Sequence, residues 1–457
     1  MVSIIRKLKK RISGIRVLIP PYKKLHNLKK EHTIKKVLKE INYLNSLSEE
    51  EIRNFQNRKL IEFINYAHDH CKYYKKIISD NNVDISDLSG FQNIPMLTKA
   101  IIKGNTQNLI SDEYGIAHLA KKNTGGSTGN PLELFCTTQA GLLDYGFHFY
   151  QYKKMGYQEG DIILGAAAFT VPKALRDNNV FWLEMGKREP FGDTKLSILY
   201  LTEANVKYYV QKLLELKPAI LRGYPSLFDS MAQYIIKNEI NIDFKIKGIS
   251  LTSEMCSRNQ KINIEKAFSS KVLFEYGHTE VCVLCHTSGA DDIYKSYPSY
   301  GYVEVLNDDG TETKVGEVGN IVVTGFLNRG MPFIRYKTED LGRLAYKNGG
   351  IAHFSEIIGR SQDFIVAKDK SKISISALTS WQHLNAFAHI AKWQIVQEEP
   401  GVITISIIKG ENYSIEDETE IKEKIQKITD VDIIFSYVTD IPRTKGGKHL
   451  FMIQKIT

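Results

Sequence analysis

No run of about 18 apolar residues occurs in this chain, which excludes a membrane-spanning helix. The amino terminus is basic, yet it lacks the apolar segment and small-residue cleavage site of a secretory signal, so none is expected. Cysteine is scarce. The five present (Cys71, Cys136, Cys256, Cys282 and Cys285) are few and odd in number, which argues against a disulfide scaffold and for a reducing compartment. A cytoplasmic protein is the expectation. Low-complexity tracts and internal repeats are missing too. With 42% hydrophobic and 25% charged residues, the composition is that of an ordinary folded enzyme, not a disordered chain. At 457 residues the chain is too long for one core, and roughly two to four domains are expected.

Acidic residues are nearly absent from the first 40. Thirteen Lys and Arg face only Glu31 and Glu40 there, a net +11, so the other 417 residues sum to about −2 out of the total +9. The positive charge is local, and a nucleic-acid-binding surface is not expected. Ile4, Ile5, Leu8, Ile12 and Ile15 recur at helical spacing with Lys and Arg between them. Such a helix either packs its apolar stripe on the main body or lies on an anionic membrane surface.

Residues 31–80 read as helical, with Ser46 and Ser48 ahead of an acidic first turn at Glu49, Glu50 and Glu51. From about 130 to 330, apolar segments (162–167, 219–221, 249–251, 272–276) alternate with helical ones such as 206–216, which predicts an α/β domain with a largely parallel sheet. After Gly359-Arg360 the pattern changes. Strands are predicted at 393–397, 401–408 and 432–438, and a helix after Ser414 with Ile421, Ile425 and Ile428 on its buried face, giving a small α+β module. The expected divisions are a basic arm over 1–45, a large domain over 46–360 and a small one over 361–457.

Five motifs carry polar chemistry. Asn123-Thr124-Gly125-Gly126-Ser127-Thr128-Gly129-Asn130-Pro131 offers glycines for close approach to an anion and hydroxyls to donate to phosphate oxygens. It is neither a Walker loop, since no Lys-Ser/Thr pair follows, nor a G-x-G-x-x-G fingerprint. Tyr276-Gly277-His278-Thr279-Glu280 ends a predicted strand with a ring to stack on a base, a hydroxyl and a carboxylate suited to Mg²⁺. Arg335-Tyr336-Lys337-Thr338-Glu339-Asp340 ends in a carboxylate suited to two ribose hydroxyls. Gly359-Arg360 follows at the expected boundary, and Pro442-Arg443-Thr444-Lys445-Gly446-Gly447-Lys448 presents a lysine from a glycine loop. Each alone also reads as an ordinary turn or solvated charge.

In this order, the five resemble the adenylate-forming superfamily of acyl-CoA ligases, adenylation domains and luciferases, over about residues 50–457. Phe63-Ile64-Asn65-Tyr66-Ala67-His68 with Tyr73-Tyr74, and Arg222-Gly223-Tyr224-Pro225-Ser226, resemble the phenylacetate–CoA ligase-like group and its capsular-polysaccharide branch. The resemblance implies a large multi-subdomain adenylation domain of α/β class with mixed and parallel sheets, and a small mobile α+β C-terminal domain. It implies that a carboxylate is activated by MgATP as an acyl-adenylate and passed to CoA, a carrier protein, or an amine or hydroxyl acceptor. Thr124, Gly125, Gly126, Ser127, Thr128 and Gly129 would then hold ATP phosphates, Tyr276-Gly277 and Glu254 the adenine, and Asp340 with Arg360 the ribose. Thr279 would meet the α-phosphate, Glu280 would hold Mg²⁺, and Lys448 would bridge the attacking carboxylate and the α-phosphate. Glu339 stands where that pattern has a glycine, and Asn130 where many relatives have a lysine. A non-catalytic scaffold of a membrane-associated polysaccharide assembly complex is the rival reading; intact Glu280, Asp340 and Lys448 weigh against it.

Cys282-Val283-Leu284-Cys285-His286 also matches a haem-attachment spacing, which would require export. A zinc site there would need further ligands, with Cys256 or a distant His as candidates. Apolar thiols lining an acyl pocket are the simpler expectation.

Overall fold

The structure, a computed structural model, describes residues 21–123, 132–186, 189, 191–254, 256, 258–360, 364–369, 372–374, 386, 389–426, 429–442 and 450–456. The expected amphipathic helix at 4–15, the glycine loop 124–129 and Lys448 lie outside the described residues.

Helix α1 (Pro21–Leu44) leads through a short turn into α2 (Glu49–His70) and α3 (Lys72–Asp80). Ser48 starts α2 as the sequence suggests. Its hydroxyl accepts from the Glu51 amide at 3.3 Å while the Glu51 carboxylate accepts from the Ser48 amide at 2.8 Å, a reciprocal cap that satisfies two otherwise orphaned donors. The motif residues Phe63, Ile64, Ala67 and Tyr74 face inward from α2 and α3 and are buried. The Tyr74 hydroxyl donates to Pro332 O and accepts from the Ile334 amide, both at 3.0 Å, so this signature is architectural. Helix α4 (Lys99–Leu109) follows, then a hairpin of β1 (Ala120–Asn123) and β2 (Glu133–Cys136), whose connection is the glycine segment.

Helix α5 (Thr138–Lys154) is capped by Thr137, whose hydroxyl accepts from the Ala140 amide at 3.0 Å. Helix α1 packs on α5: Val37 and Ile41 of α1 are buried in one cluster with Ala140 and Phe147 of α5. Gly146 permits that contact, because a Cβ there would lie 2.8 Å from the Val37 Cβ.

One twelve-stranded sheet organises the large domain. Its members are β3 (Ile163–Ala167), β4 (Trp182–Glu184), β5 (Thr194–Ser197), β6 (Ile220–Gly223), β7 (Gly248–Leu251), β8 (Val272–Gly277), β9 (Leu284–His286), β10 (Tyr294–Ser296), β11 (Gly301–Leu306), β12 (Val318–Gly325), β13 (Tyr336–Asn348) and β14 (Ile351–Arg360). Their order is β11-β12-β13-β14-β10-β9-β8-β7-β6-β3-β5-β4. Pairing is parallel through β5, β3, β6, β7 and β8 and antiparallel from β9 onward. The sheet is therefore mixed, not largely parallel. The reason is the connections: α6 (Val206–Leu216), α7 (Pro225–Lys237) and α8 (Arg258–Phe268) supply crossovers before β8. The later links are too short to be crossovers, so successive strands reverse.

The small domain pairs β15 (Phe364–Val366) with β16 (Lys372–Ser374). It also forms a four-stranded sheet of β17 (Ile390–Glu399), β18 (Val402–Lys409), β19 (Asp432–Tyr437) and β20 (Met452–Gln454), in the order β19-β18-β17-β20. The strict alternation of Ile403, Ile405 and Ile407 places all three on the covered face of β18. Ile421 and Ile425 of α9 (Ile415–Gln426) cover them, and burying each such side chain contributes roughly 1.5–3 kcal/mol. Ile428 lies outside the described residues.

Gly146→Ala is expected to destabilise the protein by about 1–3 kcal/mol through overpacking against Val37. Gly141→Ala on the same helix meets nothing within 4 Å and is expected to be neutral or stabilising. Urea midpoints of the two variants check that α1 is docked as described.

Candidate active site

Strand β8 is the place where the sheet changes character, with a parallel neighbour on one side and an antiparallel one on the other. Ligand clefts in α/β sheets form beyond the carboxyl ends of strands at such changes. The segment Tyr276-Gly277-His278-Thr279-Glu280 leaves β8 there. Tyr276 is buried, and its hydroxyl donates to Asp340 Oδ2 at 3.0 Å. In return, Tyr336 of β13 donates to Glu280 Oε1 at 2.8 Å. Asp340 is fixed in its turn, its own amide bonded to Thr338 Oγ1 at 3.1 Å. Arg360, described by its backbone, pairs with Asp340 across β13 and β14. Two of the five motifs thus interlock, and a third abuts them.

The backbone around this point is strained. Ser253, Val281, Arg335 and Glu339 adopt φ of +72°, +58°, +50° and +69°, the left-handed region that L side chains avoid, and Val281 is β-branched. Each carries a strain of order 1–3 kcal/mol and persists only where its surroundings over-determine it. The φ at Glu339 explains why the resembled pattern has glycine there. Here Lys99 of α4 holds the Glu339 carboxylate at 2.5 Å, an anchor that no sequence pattern marks.

Glu280 is 8% exposed. Burial by itself would push its carboxyl up. The His278 ring, with Nδ1 3.2 Å from Oε2, and the Tyr336 hydroxyl outweigh burial and bring it down to about 2. Glu280 is therefore a carboxylate at neutral pH. Neither ring nitrogen of His278 meets hydrogen-bond geometry with a described residue, although both atoms are buried. The ionised carboxylate of Glu280 is an oxygen ligand of the kind that suits Mg²⁺. Burial and the facing Asp340 carboxylate hold the Tyr276 hydroxyl far above its ordinary range, so it stays a donor. Thr279 is half-buried and Gly277 exposed in this segment.

Glu254 follows β7, the parallel neighbour of β8. Its carboxylate accepts from the Ser226 amide at 3.2 Å, at the amino terminus of α7, where the helix dipole favours a negative charge. Arg335 serves architecture as well. Its guanidinium is buried against Glu304 at 2.9 Å and donates to Ile94 O at 2.8 Å, pinning the 92–94 turn to β13.

The cysteines do not gather round His286. Successive residues of β9 point to opposite faces, so Cys285 joins the apolar core with Cys282 and Val283 while His286 turns away. The sequence pattern gave no sign of the group His286 does join. Glu275 lies directly across from it in the β8–β9 register, with His148 from α5 and Arg222 from β6 close by.

Residues 365–455 match the family described as the CapK C-terminal domain. Over 416 residues the chain is 26% identical to protein CapK of Staphylococcus aureus, covering 88% of this chain and 89% of that one. It is 20% identical over 358 residues to a phenylacetate-coenzyme A ligase of Thermus thermophilus, covering 71% and 74%. Among solved structures, 2-hydroxyisobutyryl-CoA ligase in its postadenylation state with R3-HIB-AMP matches at a TM-score of 0.68 and 17% identity, over 87% of this chain and 88% of that chain. The same ligase with 2-HIB-AMP and CoA in the thioesterification state matches at 0.56 and 18%, over 90% and 91%. The fold is that of the acyl-CoA ligases. Among the described residues no helix is long and apolar enough to cross a membrane.

Glu280 also sets an acid limb of stability. Its folded pKa lies below the unfolded value of about 4.3, so its contribution is present above that pH and is lost as pH falls toward 2. The amount is on the order of 3 kcal/mol. Tyr336→Phe removes the donor and is expected to cost about 1–3 kcal/mol at pH 7 and to shrink the acid limb. Chemical denaturation at pH 7 and pH 3 measures both effects.

Proposed function

We propose that this chain, a member of the adenylate-forming superfamily with a CapK-like sequence, activates a carboxylic acid with ATP and transfers the acyl group to CoA or to another thiol, amine or hydroxyl acceptor. In the first half-reaction a carboxylate oxygen attacks the α-phosphorus of ATP and pyrophosphate leaves. In the second, the acceptor attacks the acyl carbon and AMP leaves. The observation that carries this reading is the interlocked pair Tyr276–Asp340 and Tyr336–Glu280 at the carboxyl end of β8.

Tyr276 offers a ring wall for adenine, with its hydroxyl engaged on the Asp340 carboxylate. Asp340, backed by Arg360, accepts from ribose hydroxyls, and Gly277 leaves the nucleotide side of the turn open. The hydroxyls of Thr124, Ser127 and Thr128 and the amides of Gly125, Gly126 and Gly129 receive the phosphates, with Thr279 beside the α-phosphate. Glu280 would hold Mg²⁺, which supplies neutralisation of phosphate charge when bound. Lys448 stabilises the charge that grows between the attacking carboxylate and the α-phosphate. Glu254, whose carboxylate also holds the start of α7, lines the adenine. The greater likeness to the postadenylation form of the hydroxyacid ligase than to its thioester-forming one supports a small domain, 361–457, that changes place between the half-reactions.

The similarity to CapK supports a setting in capsular or other envelope polysaccharide assembly, with the acyl group destined for a CoA, carrier-protein or sugar-amine acceptor. The basic residues of 1–40 would bring the enzyme to an anionic membrane surface, each contributing roughly 1 kcal/mol there. A cytoplasmic enzyme with peripheral attachment fits that arrangement.

ATP–pyrophosphate exchange across aryl, fatty, amino, hydroxy and sugar acids tests the reading. Exchange is expected with one class of acid, and Lys448→Ala and Asp340→Asn should each reduce it by about 100-fold or more. Absence of exchange with every acid, in a protein that still binds Mg-ATP, would favour a scaffold over an enzyme.

A further inference from the structure

The opposite face of β8 holds a polar cluster that this chemistry does not use. Glu275 precedes Tyr276, so its side chain points away from the nucleotide side. It is buried with His148 and His286. His148 Nδ1 lies 3.2 Å and His286 Nε2 3.4 Å from the same oxygen, Glu275 Oε2, and all three donor atoms fall within 4.8 Å of one another. Ligands at about 2.0–2.1 Å from a tetrahedral Zn²⁺ stand about 3.3 Å apart, which is the spacing of these contacts.

His148 Nδ1 is buried and close to Oε2, yet it is outside hydrogen-bond geometry with any described residue, whereas His286 Nε2 meets that geometry with the same oxygen. One buried ring nitrogen thus faces the carboxylate without a hydrogen bond to it.

The surroundings complete a ligand set. Metal-bound imidazoles direct their second nitrogen to a carboxylate or hydroxyl, which fixes the tautomer. His148 Nε2 lies 3.4 Å from Asp144 Oδ1, and Asp144 is itself held by the Tyr300 hydroxyl at 2.8 Å. His286 Nδ1 lies 3.1 Å from the Tyr297 hydroxyl. Arg222 takes the other Glu275 oxygen, Oε1, at 2.5 Å and leaves Oε2 facing the two imidazoles. His286, alone of the three, also borders an open cavity lined by Tyr150, Gln151, Lys154 and Thr287, which offers a way in toward the cluster.

We propose that His148, Glu275 and His286 form a binding site for one divalent first-row transition ion, with Zn²⁺ as the reference ion. Two imidazoles and one carboxylate suit such an ion and not Mg²⁺ or Ca²⁺, which take oxygen ligands. The ion clamps α5 to β8 and β9, one residue away from Tyr276.

The test uses the full chain, purified without a metal-chelating tag, dialysed against Zn²⁺ and then against metal-free buffer, with metal counted by plasma mass spectrometry. About one Zn²⁺ per chain is expected. His148→Ala and His286→Ala should each weaken binding by at least about 10-fold, whereas the Cys282→Ser/Cys285→Ser double variant should keep it. Circular dichroism accompanies each variant. Where a variant is unfolded, the visible bands of tetrahedral Co²⁺ in the wild type decide. A wild type with neither metal nor Co²⁺ bands, metal kept by both folded histidine variants, or metal lost with the two cysteines would each overturn the site. None of these results depends on ATP chemistry, so this proposal and the enzymatic one fail separately.

Discussion

Two hydroxyl–carboxylate hydrogen bonds run in opposite directions between the same two segments, from Tyr276 to Asp340 and from Tyr336 to Glu280. Each segment gives one donor and one acceptor, so neither can shift along the other without leaving a carboxylate short of a partner. A bond of this kind to a charged group contributes about 1.5–3 kcal/mol, and a stripped buried acceptor loses more. The constraint joins the parallel and antiparallel halves of the sheet at their meeting point. It also explains why a strand of the late, antiparallel half carries half of the candidate site.

Backbone strain is tolerated where that joint is strong. Val281 follows Glu280 directly and Glu339 precedes Asp340, so the two left-handed residues flank the two carboxylates. A left-handed residue turns the chain sharply, just after Glu280 in one segment and just before Asp340 in the other. Glycine would do this without strain. Glu339 does it under strain and adds a tie to Lys99. Strain of this kind holds the carboxylates in place before any ligand arrives, which is what a site working through charge placement requires.

Much of this was legible in the chain. Ser48 with Glu51 announces a helix start, the alternation of Ile403, Ile405 and Ile407 announces a half-buried strand, and the motif at Tyr276 falls at a strand end as expected. These signals are local, with caps and periodicities contained within a few residues. What escaped depends on pairing across distance. The direction of strands after β8 is set by the absence of crossover helices. The roles of Arg335, Glu254 and Lys99 are set by partners 31, 28 and 240 positions away. The Cys-x-x-Cys-His spacing marks no single site for a related reason: adjacent residues in a strand face opposite sides, so a compact pattern in sequence is split in space.

The same alternation ties the two faces of β8 together. Glu275 and Tyr276 share a peptide bond, and the Glu275–His286 register fixes the strand that presents Tyr276. The Arg222–Glu275 contact then extends that register to β6, across β7. A slip of β8 by one residue would exchange its faces, placing Glu275 against the apolar core and Tyr276 among the charges. The buried charged cluster is thus more than a burden to be neutralised. A slipped register would leave buried charges unpaired at a cost of about 3–5 kcal/mol, which favours the strand position on which the Tyr276–Asp340 bond depends.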